Sequence, residues 1–363
     1  MTVRAVHQFV PSLVPRDAVS VHALEARGVL RSMGFESEIF VKETRAEMVP
    51  ESRFYRSYES TGSDVLIYQA STGSAVADYL MDRTEPLIVN YHNVTPAAFF
   101  APWEPHTAVE LEVGRRQIAE LSGRATLGLA VSSFNERDLV AMGYARTAVA
   151  PVLIDPSTLG REPDPAALDR LRRARDGADV VVLFVGRIAP NKAQHDLVKA
   201  LATYRHLYGK RARLHLVGSA ASPRYQRALR GLVSAQGLDD VVDFPGSVTD
   251  GELAAYYATA DVFMSASDHE GFCVPIVEAM HHGLPVVAYG AGAIPETVAD
   301  GGLVLSEKDP ATLAAAMHRL AGDATLRERL SAAGRARVGA LGIEHARERF
   351  RSVVAETLAL VAA

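Results

Sequence analysis

One cysteine, Cys273, in 363 residues leaves no intrachain disulfide to form, so the fold has to rest on a packed core rather than on covalent cross-links. A basic excess is missing too: 38 Lys and Arg stand against 43 Asp and Glu, a formal net charge of -5. Nucleic-acid binders need the opposite balance to neutralise a phosphate backbone, so no nucleic-acid partner is expected. No uninterrupted apolar stretch reaches the ~18 residues that suggest a membrane span, and Met1–Val10 has neither the basic start nor the apolar run of a secretory signal. A cytoplasmic protein, at most peripheral at the inner face of a membrane, is the expectation. No Cys cluster or His-x3-His pair with a carboxylate stands out, so neither a metal site nor another cofactor is expected. The first apolar run is not followed by Gly-x-Gly-x-x-Gly, which argues against a nicotinamide enzyme.

What is present is an ordinary globular balance, 48% hydrophobic and 22% charged, over a length that fits about two domains. In the first half short apolar runs alternate with helix-like segments: Val3–Val10, the helical Val19–Met33, then Asp64–Ala70, Pro86–Tyr91 and Thr126–Ser132. The alternation predicts βαβ units around a parallel sheet. Near-continuous apolar runs such as Val65–Tyr68 and Leu87–Val89 predict strands covered on both faces. Ser133, with Glu136 three residues on, predicts a capping box.

A looser stretch, Pro151–Asp179, holds Pro156, Pro163 and Pro165 ahead of a charged helical segment, and the domain boundary is expected there. The alternation restarts with Asp179–Val185 and continues through Arg213–Val217, Val241–Phe244, Asp261–Met264, Pro285–Ala288 and Gly302–Leu305. After Pro310 the pattern is helical to the end. The expected fold class is α/β, two doubly wound Rossmann-like domains. Such sheets take ligands beyond the carboxyl ends of their strands, so two of them facing each other would hold substrates in a cleft.

The segment Asp268–Met280 is the most informative. Pro275 suits the first position of a helix, because its φ is already helical and its missing N–H would have been unpaired anyway. Gly271, Phe272, Cys273 and Val274 then read as a loop whose free N–H groups can receive an anion or sugar hydroxyls. Glu270 opens the loop and Glu278 falls in the first helical turn, so two acceptor carboxylates bracket a donor-rich loop. A Glu near a helix start also simply favours the helix dipole, and a Glu before Gly is often solvated.

Glu270 and Glu278, with seven residues between them, resemble the Glu-x7-Glu motif of the retaining GT-B glycosyltransferases of family 4. The surroundings match as well, in Leu284–Ala288, Ile294-Pro295-Glu296 and Asp300–Val304. A second match is Phe184-Val-Gly186-Arg187-Ile188 followed by Asn191-Lys192, with Ala193 where the family usually has Gly. The resemblance implies a GT-B architecture: an acceptor-binding domain over residues 1–160, a nucleotide-sugar donor domain over 161–345, and a last helix, 346–363, packing back on the first domain.

It also implies roles. Arg187 and Lys192 would bind the donor diphosphate, two cations being suited to charge that grows on a departing group. Glu270 would orient the sugar hydroxyls and Glu278 the ribose hydroxyls. The stretch with Val248 resembles the one whose backbone reads the base, and Gly218 a strand end that faces the donor. His92 matches a residue that contacts the donor sugar. The Gly-rich loop usual after the first strand is missing; Arg16, Asp17 and Ala18 stand there, and with Trp103 they are the candidates for the acceptor side.

The implied reaction is metal-independent transfer of a hexosyl group from a UDP- or GDP-sugar to a hydroxyl of a sugar, natural product or lipid-linked glycan. Front-side attack is favoured, since no carboxylate in the first domain offers itself for a double displacement. A GT-B nucleotide-sugar epimerase and a non-catalytic nucleotide-sugar-binding protein are the alternatives.

Overall fold

The computed structural model describes residues 3–155, 162–175 and 177–362. Pro156 and the expected boundary at 160/161 lie outside the described residues. The chain divides into two units, one of Met1–Ala101, Pro105–Ile154 and Leu341–Ala363, the other of Pro102–Glu104 and Asp155–Ala340.

The first unit is a seven-stranded sheet in the order β3-β2-β1-β4-β5-β6-β7. Its strands are β1 (Ala5–Leu13), β2 (Ile39–Thr44), β3 (Arg53–Phe54), β4 (Asp64–Ala70), β5 (Leu87–Tyr91), β6 (Leu127–Ala130) and β7 (Thr147–Val149). All pairings are parallel. Every residue of β4, β5 and β6 is buried, as expected for strands covered on both faces. The apolar runs do not reveal β2, β3 and β7. β2 turns polar and exposed over Lys42 and Glu43, β3 has only two residues, and β7 is a three-residue edge, so none has the length or the apolar run of a central strand.

The last helix, Ile343–Ala362, lies in this unit. Ala346, Phe350, Val353, Val354 and Leu358 recur at helical spacing and pack with Val6, Ala26, Val29, Leu30 and Leu153. Arg347 Nη2 pairs with Glu25 at 2.6 Å and Arg349 Nε donates to the Val149 carbonyl at 2.9 Å. At the helix after β6, the cap is Ser132 and not Ser133. The helix begins one residue earlier than the spacing suggests, so the backbone N–H that reaches the Ser132 hydroxyl is that of Asn135, and Glu136 closes no capping box.

The second unit is a six-stranded parallel sheet in the order β10-β9-β8-β11-β12-β13. The strands are β8 (Val180–Val185), β9 (Ala212–Val217), β10 (Val242–Gly246), β11 (Val262–Ser265), β12 (Val286–Tyr289) and β13 (Leu303–Leu305). Successive strands are added outward in opposite senses from β8 and from β11, which makes their carboxyl ends the switch point where doubly wound sheets open a crevice for ligands. Among the described residues no helix is long and apolar enough to cross a membrane.

Candidate functional site

Two loops leave the switch point of the second unit. The first follows β8. Gly186 has φ +149° and Gly218, at the end of β9, has φ +141°. A Cβ on Gly218 would lie 2.1 Å from the Gly186 carbonyl oxygen, so the glycine is there for close backbone approach and is more than a turn. Arg187 follows, its side chain exposed and its carbonyl accepting from Gln194 Nε2 at 2.9 Å. A 3-10 turn, Pro190–Lys192, leads into Ala193, which has φ 48° and ψ 39° and is wholly buried. The left-handed bend that glycine favours is therefore made by an alanine, at a cost of about 1–2 kcal/mol.

The second loop follows β11 and is tied to the first by its backbone. Asp268 N–H donates to the Asn191 carbonyl at 2.9 Å, and Asn191 Nδ2 to the His269 carbonyl at 3.4 Å. This brings Lys192 Nζ to 2.7 Å from Glu270 Oε1, with side chains only 18% and 8% exposed. Glu270 is held from behind, because Ala293 N–H donates to its carbonyl at 2.9 Å. Gly292, at φ +61°, comes so close that a Cβ there would meet the same oxygen at 2.4 Å. Below the loop Lys308 Nζ sits between Asp268 Oδ1 (2.6 Å) and Asp196 Oδ2 (2.9 Å). Burial alone would lower the Lys308 pKa, but its hydrogen bonds to the two aspartates more than offset this and raise it. The sequence offers no sign of Lys308: it stands in a polar Glu-Lys-Asp stretch that reads as a solvated turn.

The helix after this loop spans Val274–His281, one residue longer at its start than Pro275 suggests. Cys273 caps it at φ +72°, Pro275 is its second residue, and Glu278 falls beyond the first turn. The helix dipole is therefore a weaker reason for that carboxylate than expected. Glu278 Oε2 instead accepts from the Tyr257 hydroxyl at 2.7 Å. Burial raises the Glu278 pKa and the Tyr257 bond works against that rise. The Tyr257 ring is stacked on His282 with centroids 4.8 Å apart. The Phe272 carbonyl accepts from Thr297 Oγ1 at 2.6 Å, which pins the loop. Burial, and then the Glu270 carboxylate beside it, push the Cys273 thiol up and keep it neutral.

Tyr257→Phe removes a side-chain donor to a part-buried carboxylate. We expect a loss of about 1–3 kcal/mol at pH 7.5 and a smaller loss at pH 5, where Glu278 with its raised pKa is nearer to neutral. Urea unfolding at the two pH values checks this; equal losses would remove the carboxylate's charge from the account.

Val248 is partly buried against the core that holds Val217 and Tyr257, just before the Thr249–Glu252 capping box. Trp103 packs edge-on to Tyr225 at 5.3 Å, within the second unit. Beside it Glu104 Oε1 accepts from Ser222 Oγ at 2.8 Å. In the first unit, Arg16 takes φ +61° and is exposed, supplying with a non-glycine residue the left-handed turn that glycines usually make. Asp17 caps the helix Ala18–Ser32 by accepting from Ser20 N–H at 3.0 Å, and Ala18 is its exposed first residue. His92 follows β5, its N–H donating to the Ala70 carbonyl at 2.9 Å and its Nε2 lying 2.7 Å from Gln69 Oε1.

Two doubly wound parallel α/β units, the second gathering a lysine, two carboxylates and a pinned loop around its switch point, have the GT-B fold. Residues 179–323 match the family model described as Glycosyl transferases group 1. The D-inositol 3-phosphate glycosyltransferase of Actinosynnema mirum is 34% identical over 266 residues, 70% of this chain and 62% of that protein. The GDP-mannose-dependent alpha-(1-6)-phosphatidylinositol monomannoside mannosyltransferase of Mycobacterium tuberculosis is 37% identical over 183 residues, 48% of this chain and 46% of that protein. The chain spans about half the length of the curated relatives it matches. Among solved structures, sucrose-phosphate synthase from Thermosynechococcus elongatus superposes with TM-score 0.77 at 21% identity, over 98% of this chain and 100% of that one. Anabaena HepE in complex with UDP-glucose gives 0.74 at 20% identity, over 97% and 100%.

Proposed function

We propose that this chain is a retaining glycosyltransferase that binds a nucleotide-diphosphate sugar in its second unit and passes a hexosyl group to a hydroxyl acceptor. The observation that carries this reading is the Lys192–Glu270 contact at the β8/β11 switch point, a cation and a carboxylate from two strand ends in the crevice where such sheets take nucleotides. Lys192 and Arg187 would face the diphosphate and Glu270 the sugar hydroxyls. Glu278, with one oxygen on Tyr257, would turn the other to the ribose. The N–H groups of 271–274 and the backbone at Val248 would complete the site.

In front-side attack the bond from the anomeric carbon to the phosphate oxygen breaks while the acceptor oxygen bonds on the same face, and the acceptor proton passes to the departing phosphate. Two cations lower the charge that develops on that phosphate without a metal ion. The relatives named above, one of them GDP-mannose-dependent, and a structural neighbour solved with UDP-glucose support the donor class.

A thermal-shift series with UDP-, GDP-, ADP- and dTDP-sugars tests the reading. One series should stabilise the protein, by about 2.7 kcal/mol at a hundredfold excess over Kd, and Lys192→Ala should abolish the shift. No response to any of the four would overturn the proposal.

A further inference from the structure

A buried row of polar side chains crosses the middle of the first sheet, where hydrophobic residues would serve stability better. Gln8 on β1, Gln69 on β4 and Asn90 on β5 are fully buried, and His22, on the helix packed against them, is 1% exposed. The row has a fixed end. Gln8 Nε2 donates to the Ala23 carbonyl at 2.9 Å. A backbone carbonyl is only an acceptor, so the Gln8 amide cannot be turned round. Its Oε1 therefore faces Gln69, and the atom 2.7 Å away must be the donor Gln69 Nε2. That leaves Gln69 Oε1 facing both Asn90 Nδ2, at 2.8 Å, and His92 Nε2, at 2.7 Å. An amide oxygen carries no proton to give, so both nitrogens must donate.

We infer that Gln8 and Gln69 are positioning residues which relay the polarity of the Ala23 carbonyl to His92, fix its ring as the Nε2–H tautomer, and leave Nδ1 as a lone pair. Nδ1 makes no hydrogen bond within the described residues and His92 is only part-buried, so the lone pair is left for a ligand. A neutral ring with a free lone pair accepts from a hydroxyl and repels a phosphate oxygen. His92 is thus built to receive a sugar hydroxyl and to reject an anion. Burial pushes its pKa down to about 3, in keeping with a ring that stays neutral.

His22 is the titratable group that faces it, edge to face with centroids 4.7 Å apart. Its Nε2 lies 2.8 Å from Asn90 Nδ2, while its Nδ1 receives Leu153 N–H at 3.0 Å. A neutral imidazole has one lone pair, so His22 meets one N–H group too many, and Asn90 Oδ1 is left unpaired. A second proton on His22 would add to that mismatch. Burial, and then His92, lower its pKa well below the ordinary value.

Long-range proton–nitrogen NMR of the 15N-labelled protein reads the tautomer directly, with His92→Asn to assign the signals. The expected result is a neutral His92 protonated at Nε2 and unchanged between pH 8 and pH 5. A ring protonated at Nδ1, or an imidazolium in that range, would overturn the relay. This part stands whether or not the chain transfers sugars. The hydroxyl-accepting role rests on the function proposed above and is read from Gln69→Glu. A carboxylate opposite Nε2 should raise the His92 pKa and give kcat/KM an acid limb, falling about tenfold per pH unit below the new pKa, where the parent shows none. A Gln69→Glu profile that keeps the parent's shape, in a variant whose spectrum shows the imidazolium, would refute the role. The wild-type spectrum tests the relay even if that variant does not fold.

Discussion

Lys192→Met and Glu270→Gln should each lower kcat about 10²- to 10³-fold, the range for removal of one preorganised charge-stabilising group, and the double variant should recover stability without recovering turnover. The two side chains are each other's partner at 2.7 Å and are largely buried. Each single change strands a charge and should cost up to about 3 kcal/mol, less than a fully buried pair because Lys192 keeps some exposure. Replacing both by neutral groups of similar shape removes the stranded charge. If the pair were only structural, activity and stability would return together. If the pair serves a donor, the double variant is stable and inactive, since neither the diphosphate nor the sugar hydroxyls find their group. Unfolding in urea and initial rates on the donor found by the thermal-shift series give the two readouts, and parallel recovery would remove Lys192 and Glu270 from the site.

Gly292→Ala should damage both the fold and the activity of the second unit. Its φ of +61° already disfavours a side chain, and its Cβ would lie 2.4 Å from the carbonyl oxygen and 2.9 Å from the nitrogen of Glu270. Backbone cannot rotate away as a side-chain tip can, so the strain falls on the loop that aims the carboxylate. Gly237 is the control, with φ +63° and nothing within 4 Å of an added Cβ. Gly237→Ala should cost about 1–2 kcal/mol, the left-handed penalty alone. Gly292→Ala should cost about 2–4 kcal/mol and most of the activity. Equal losses in the two variants, with turnover retained, would show that the contact relaxes without moving Glu270.

The expectations that hold rest on short-range signals. The central strands of both sheets are legible because a strand buried on both faces must be apolar almost throughout, as in Val65–Tyr68. The helix near Pro275 is legible to within one residue because proline tolerates few other places. The misses have the same origin. Edge strands such as Arg53–Phe54 bury too little to need an apolar run, and Ser132 rather than Ser133 caps its helix because capping depends on where the strand before it ends. Arg16 and Ala193, where the resemblance leads one to expect glycine, both adopt the left-handed conformation.

By itself the sequence determined the two α/β units, their parallel sheets and the helix that starts next to Pro275, because apolar periodicity and turn chemistry act over a few residues. Only the tertiary structure decided the partners of Glu270 and Glu278: Lys192 on Glu270 from 78 residues away, Tyr257 on Glu278, and Lys308 beneath the loop after β11. It also decided the amide row that orients His92. These contacts depend on which strands become neighbours, β8 beside β11 and β1 beside β4, and that order is set by how helices and sheets pack, which no local spacing records.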